Sequence, residues 1–322
     1  MYLYIYSCPI FTNSVFECNK TGLPALNRKK GMYEMKRAVL LLFLSLAAFY
    51  ACERNEIEVE RPLYPTPGAI NARFTVGDGV TVVFAQGNLQ YQATTRTWRF
   101  ASNQYDVIGA ANEMIDTTYS GWIDLFGWGT SGYDSLMPYS SEDTSAHYAP
   151  GEADIAGTEY DWGVHNAISN GGNGVGQWRT LTLKEWNHLL YYRERASLLR
   201  GLATIQHVGP AGSDMAGVVL LPDKWELPDQ VSFHFGSTEG FQTNVYSAGD
   251  WNRMQSAGAI FLPAGGYRDI ARVNMVGSYG CYWTSTCYTD DSAYELYFLD
   301  SGFDFYTNAR SVGHSVRLVM NR

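Results

Sequence analysis

The chain has 322 residues, of which 46% are hydrophobic, 15% aromatic and 17% charged, with 23 Tyr and 9 Trp. Its formal net charge is -9, so it lacks the basic footprint that a nucleic-acid partner requires. This is a globular composition with unusual aromatic weight, and no repeat of fixed period runs through it.

Met35-Lys36-Arg37 precedes an uncharged apolar run over 38–50. A basic start followed by a short apolar stretch is a secretory signal. The run is too short to span a bilayer, which takes about 20 apolar residues. It ends at Phe49-Tyr50-Ala51-Cys52. A small residue before Cys resembles the lipobox of bacterial lipoproteins, in which the Cys is lipidated and becomes the mature N-terminus. That resemblance implies lipidation at Cys52 and a membrane association through the lipid alone. A plain signal peptide is the alternative, although no A-x-A-like cleavage site is evident beside Cys52. Residues 1–34 precede the signal and read as a start codon called too early. The expected division is therefore 1–34 outside the protein proper, 35–51 signal peptide, 52–69 tether and 70–322 one domain. The tether is acidic from Glu53 to Glu60 and carries Pro62, Pro65 and Pro67, a composition that buries little apolar surface. Acidic residues just after the Cys resemble the surface-export signal of Bacteroidetes lipoproteins, which implies the outer membrane and its outer face.

Beyond the tether, short runs rich in β-branched and aromatic residues alternate with turn signals. Strands are expected over 73–76, 80–85, 89–92 and 98–100, a turn-rich stretch over 133–160 and a glycine loop over 170–176. Thr182-Leu183-Lys184-Glu185 is a capping box, and Trp186, Leu189 and Leu190 follow at helical spacing, with Gly201 beyond the expected end. A second short helix is expected over 248–258. Strands are expected again over 260–262, 281–285, 293–299 and 315–320, with a loop over 302–312. Few helices among many short strands indicate an α+β domain with mainly antiparallel pairing.

Catalytic signatures are missing. His147, His165, His188, His207, His234 and His314 show neither H-E-x-x-H nor His/Cys zinc spacing. Gly129-Thr130-Ser131-Gly132 fails the nucleophile-elbow spacing, and Gly172-Asn173-Gly174-Val175-Gly176 fails the dinucleotide pattern. No enzyme activity is expected. Asp300 and Asp304 lack an EF-hand context; no cofactor is expected, with a structural calcium left open. Cys281 and Cys287 would lie about 20 Å apart on a straight strand, so a disulfide between them requires an intervening turn.

Four stretches carry a further resemblance: Trp178-Arg179-Thr180-Leu181-Thr182 with Glu185-Trp186, Phe261-Leu262-Pro263-Ala264-Gly265-Gly266-Tyr267-Arg268, Gly280-Cys281-Tyr282-Trp283-Thr284-Ser285-Thr286, and Ser315-Val316-Arg317-Leu318-Val319. In this order they resemble the Fibrobacter succinogenes major paralogous domain of Bacteroidetes lipoproteins, a group similar to the formylglycine-generating, C-type-lectin-like fold. The catalytic cysteine motifs of formylglycine-generating enzymes are not present, and Trp251-Asn252 is followed by Arg253 where a calcium-binding lectin needs an acid. The last third also resembles the variable proteins of diversity-generating retroelements. There Gly280, Tyr282, Trp283, Ser285, Ser315, Val316 and Arg317 would be scaffold. Cys281, Cys287, Thr289, Asp290, Tyr297, Leu299, Phe303, Phe305 and Tyr306 would be exposed ligand-binding positions. The resemblance implies a non-catalytic lectin-like domain that binds an extracellular protein or glycan. A pilus-associated or structural subunit is the first alternative, and a sulfatase-modifying-type enzyme the second. Strand alternation adds a physical expectation: if Tyr294, Leu296 and Phe298 face the core, then Glu295, Tyr297 and Leu299 face solvent.

Overall fold

The structure, a computed structural model, describes residues 65–113, 115, 118–138, 148–235, 240–269 and 271–322. Cys52, the signal segment and residues 1–34 lie outside the described residues. All described residues belong to one compact unit, Pro62–Arg322. Gly68 and Ala69, placed in the tether by sequence, already belong to the fold. The Gly68 carbonyl accepts from the Gln86 N–H at 2.7 Å, and Ala69 bridges Ala85.

The fold is α+β, built mainly of short antiparallel strands. In chain order these are β1 (Phe74–Gly77), β2 (Val80–Phe84), β3 (Leu89–Gln92), β4 (Thr97–Phe100), β5 (Trp122–Ile123), α1 (Trp162–His165), β6 (Arg179–Thr180), α2 (Leu183–Asn187), β7 (Arg200–Ile205), β8 (Met215–Leu220), β9 (Val245–Tyr246), α3 (Ala248–Ser256), β10 (Ile260–Pro263), β11 (Tyr267–Asp269), β12 (Arg272–Asn274), β13 (Gly280–Cys287), β14 (Ser292–Leu299), β15 (Gly302–Ala309) and β16 (Leu318–Asn321). They form sheets of order β1-β2-β16-β6, β10-β8-β7-β9, β4-β3-β5, β13-β14-β15 and β11-β12. Only β7 and β9 pair in parallel among these strands. The last strand lies between β2 and β6, so it closes on the first strands of the described residues.

Both expected helices form behind capping boxes. Thr182 and Glu185 exchange side-chain-to-backbone bonds at α2, and Ser247 and Asp250 do the same at α3. The α2 helix is shorter than its periodicity suggests. It loosens into a π-helical turn over His188–Tyr192, and Gly201 is a strand residue in β7 rather than a helix stop. Arg193 closes that turn: its buried guanidinium donates back to the Leu189 carbonyl at 2.9 Å and reaches across to Asp223 at 3.0 Å and the Leu221 carbonyl at 2.9 Å. Two further corrections concern strands. The pair β7–β8 was not legible as strands, and 302–309, expected as loop, is β15.

Three apolar clusters fill the interior. One joins β1, β2 and α2 to β7, β8, β10 and the inner face of β13-β14-β15. A second packs β3 and β4 with Trp128, Trp162, Trp178 and Trp283. The third lies beneath α3, against the opposite face of β7 and β8. The tryptophans are core residues: six of the 9 are fully buried.

Arg317 stands where these clusters meet and is itself fully buried. Its guanidinium donates to the carbonyls of Phe261 at 2.8 Å and Ala85 at 3.1 Å, and to Asn88 Oδ1 at 3.0 Å. Asn88 in turn donates to the Tyr282 hydroxyl at 3.0 Å, and that hydroxyl donates to the Pro263 carbonyl at 3.0 Å. Burial lowers the guanidinium to about 10, so it remains charged at neutral pH.

Two buried carboxyls behave oppositely to ordinary surface acids. Asp124 and Asp161 are pushed up from 3.8 to about 6. Burial is the main cause and outweighs the hydrogen bonds that favour their ionised forms. Asp161 caps α1 at Gly163 and accepts from the Thr180 N–H and hydroxyl, each at 2.9 Å.

Two outcomes are expected. Arg317→Met leaves several buried acceptors unsatisfied, each worth about 1–3 kcal/mol. It should lower the unfolding free energy by about 3 kcal/mol or more, read from the urea midpoint. The second concerns pH. Below about pH 4 the folded and unfolded chains both protonate these two aspartates. As pH rises towards about 6 the unfolded chain releases its protons first, so the two groups reduce stability across that window. Each tenfold difference in proton affinity between the folded and unfolded chains costs about 1.4 kcal/mol. Asp124→Asn should therefore lose less stability than the native chain between about pH 4 and pH 6; equal slopes in urea titrations would contradict this.

Candidate functional site

The three-stranded sheet β13-β14-β15 has two faces fixed by its register. Cys281 lies opposite Tyr297, Trp283 opposite Glu295, and Tyr297 and Glu295 lie opposite Asp304 and Tyr306. Directly opposed residues share a face, so Cys281, Trp283, Glu295, Tyr297, Asp304 and Tyr306 are on one side. Tyr282, Leu296, Phe298, Phe303 and Phe305 are on the other, in or against the first core cluster. The sheet begins at Gly280, where an added Cβ would fall 2.0 Å from the Phe298 ring. Only glycine admits that ring. Gly280 also bridges Gly266, whose φ of 71° is in the left-handed region. These two glycines bring β11 alongside the sheet.

The result is a row of tyrosines. Tyr267 meets Tyr279 edge-on with ring centroids 5.8 Å apart. Tyr279 stacks on Tyr297 at 6.1 Å, and Tyr297 meets Tyr306 edge-on at 6.3 Å. The first three are half-buried and Tyr306 is 67% exposed. Each ring buttresses the next while leaving aromatic surface open to solvent.

Beneath the row lies a polar cluster. Cys281 and Glu295 are each 1% exposed and His314 is 0% exposed. One ligand-capable atom from each lies within 4.8 Å of the others. His314 Nδ1 is 2.8 Å from Glu295 Oε2, but the alignment is not that of a hydrogen bond. Among the described residues neither ring nitrogen of His314, nor Glu295 Oε2, has a hydrogen-bond partner. The Cys281 thiol is pushed well up, by burial first and by Glu295 second, while the Tyr279 hydroxyl hydrogen-bonds it and acts the other way. His314 is held by its backbone: it exchanges N–H and C=O bonds with Phe126 at 2.9 and 3.0 Å. Trp283 packs on its imidazole at 4.2 Å and is itself locked by a 2.7 Å bond to the Phe126 carbonyl.

The nine expected binding positions therefore separate. Tyr297, Leu299 and Tyr306 share the outer face, with Tyr297 and Leu299 half-buried. Cys281 shares that face but is sealed under the tyrosines. Phe303 and Phe305 do not belong to it: they point inward and pack with Tyr191 at 6.3 Å each. Cys287, Thr289 and Asp290 sit at the far end of the β13–β14 hairpin. There the buried Arg310 donates to Cys287 Sγ at 2.9 Å and to the Thr289 carbonyl, and lies over Trp128 at 4.4 Å. Both Cys281 and Cys287 are free thiols at opposite ends of one strand. Glu295, expected at the surface by alternation, is buried. Tyr267, Tyr279, Glu295 and His314 were missed by sequence reasoning. Alternation along β14 pointed to Tyr297, but the neighbours that complete the row come from β11 and the segment before β13.

A sequence-family model described as Domain of unknown function (DUF8237) matches residues 246–319, a span that holds the whole tyrosine row and the cluster beneath it. No curated protein and no solved structure matches the chain.

Proposed function

We propose that the chain is a lipid-anchored cell-surface protein whose lectin-like domain binds an extracellular protein or glycan without catalysis, through the face of Tyr267, Tyr279, Tyr297 and Tyr306. The row of mutually packed, partly exposed rings carries this reading. Tyrosine offers large contact area at a small entropic cost, because two torsions fix it. Here the neighbouring rings restrain those torsions before any ligand arrives, which is preorganisation. An aromatic platform of this kind suits the apolar face of a sugar ring or an apolar side chain of a protein, with hydroxyls at its rim for hydrogen bonds. The lipidation of Cys52 rests on the sequence pattern. Among the described residues no helix is long and apolar enough to cross a membrane.

One observation favours the structural-subunit alternative. The strand β15 runs eight residues, Gly302–Ala309, and among the described residues pairs with β14 alone. A long edge without a second strand can accept one from another chain, although the Tyr191 hydroxyl already donates to the Phe303 carbonyl at 3.3 Å.

Glycan and protein arrays probed with the full chain test the main reading. A bound class is expected, and Tyr297→Ala or Tyr306→Ala should weaken it by about 2 kcal/mol, roughly thirtyfold in Kd. Loss of binding in Phe303→Ala alone, with both tyrosine variants unaffected, would place the site elsewhere. Concentration-dependent polymers in light scattering, with no array signal, would instead support strand addition along β15. For the anchor, Cys52→Ser should abolish incorporation of labelled fatty acid and release the protein from the membrane fraction.

A further inference from the structure

We propose that Cys281, Glu295 and His314 form a binding site for a single zinc-class divalent metal ion, buried under the tyrosine row. The three side chains come from separate parts of the chain: β13, β14 and the segment before β16. They converge until one donor atom of each lies within 4.8 Å of the others. All three are almost wholly excluded from solvent.

Buried polar atoms are ordinarily hydrogen-bonded, and an orphan costs free energy. Here three such atoms of one cluster, both His314 ring nitrogens and Glu295 Oε2, make no hydrogen bond among the described residues, and Nδ1 and Oε2 meet only as an ion pair. The 2.8 Å approach of Nδ1 to Oε2 is off-axis for a hydrogen bond, whereas two ligands of one ion need only point at a common centre.

The donor set selects the metal. A thiolate, an imidazole and a carboxylate suit zinc and related ions; calcium and magnesium take oxygen ligands. The charges also balance: one thiolate and one carboxylate neutralise a divalent cation, so the loaded cluster adds no net charge to the interior. The outer shell is rigid. Trp283 fixes the imidazole plane, the paired backbones of Phe126 and His314 fix its position, and the Tyr279 hydroxyl holds Cys281 from the solvent side. Supporting contacts of this kind orient metal ligands. Three protein ligands leave one tetrahedral position, and Tyr279 stands between the cluster and the surface.

This site does not depend on what the tyrosine row binds. The test is a metal titration of the full chain after chelator treatment. One zinc or cobalt ion should bind per chain, the melting temperature should rise, and the cobalt form should show thiolate-to-metal charge transfer. Cys281→Ser and His314→Gln, checked for folding by circular dichroism, should weaken binding by more than the about 10–100-fold that loss of a supporting contact costs. Should those variants not fold, X-ray absorption at the zinc edge of the native chain decides: one sulfur with nitrogen and oxygen neighbours is expected. A folded chain without saturable uptake overturns the proposal. So does a zinc edge with no sulfur neighbour, or unchanged affinity in the folded variants.

Discussion

A buried guanidinium without a carboxylate sets the constraint that the rest of the fold obeys. Arg317 carries its charge into the place where the three apolar clusters meet, and carbonyl and amide oxygens receive it, with the Tyr282 hydroxyl beside them. Those acceptors belong to the end of β2, the turn before β3 and strand β10. Each must hold its position for the charge to be solvated, because an uncompensated buried cation is far more costly than any single packing defect. Arg317 thus acts as a hub: it fixes where β16 lies, and that in turn fixes the segment 313–316. The Ser315 N–H reaches the Cys281 carbonyl, and the Trp283 N–H reaches the Ser315 carbonyl, each at 3.1 Å. His314 is delivered beneath the tyrosine row by this chain of contacts.

Aromatic residues occupy two settings. Most tryptophans are interior, where their large rings span gaps between sheets that meet at irregular angles. Trp128, Trp178 and Trp283 also find carbonyl partners for their indole N–H groups. Tyr297 and Tyr306 occupy the outer face of β13-β14-β15, whereas Tyr246 and Tyr282 are interior and their hydroxyls donate to the Ser232 and Pro263 carbonyls. The 15% aromatic content thus has two settings: bulky rings between several small sheets packed into one body, and a row of mutually packed tyrosines on one partly exposed face.

The sequence was legible where a local pattern determines the outcome. The capping boxes at Thr182 and Ser247 place helix starts because the bonds they make are local. It was illegible where a distant partner decides. Arg193, which closes the turn after α2, is tied to Asp223, thirty residues on. Gly201 reads as a helix stop, but in β7 it admits the His234 carbonyl, 2.9 Å from where a Cβ would be. Val218, Val219 and Leu220 in β8 are buried on both faces, so that strand shows no alternation. Residues 302–309 read as loop because Asp304 and Asn308 interrupt the apolar positions; β15 is an edge strand whose outer face tolerates them.

Glu295 shows most clearly why alternation misled. The rule assumes that a sheet with a core face has a solvent face. In β13-β14-β15 the second face is covered at one end, by Trp283, Phe126 and the 313–316 segment, and open at the other. Glu295 falls under the cover and Tyr297, two residues on, falls at its edge. The same division explains why Cys281 cannot be an exposed contact position. It occupies the boundary row with Tyr297, but the ring of Tyr279 closes over it. A ligand on this face therefore meets tyrosine rings first, and the polar cluster acts on it only through the positions in which it holds those rings. Placement of the tyrosine row and burial of the cluster are then one structural fact: the rings are held because what lies beneath them is fixed.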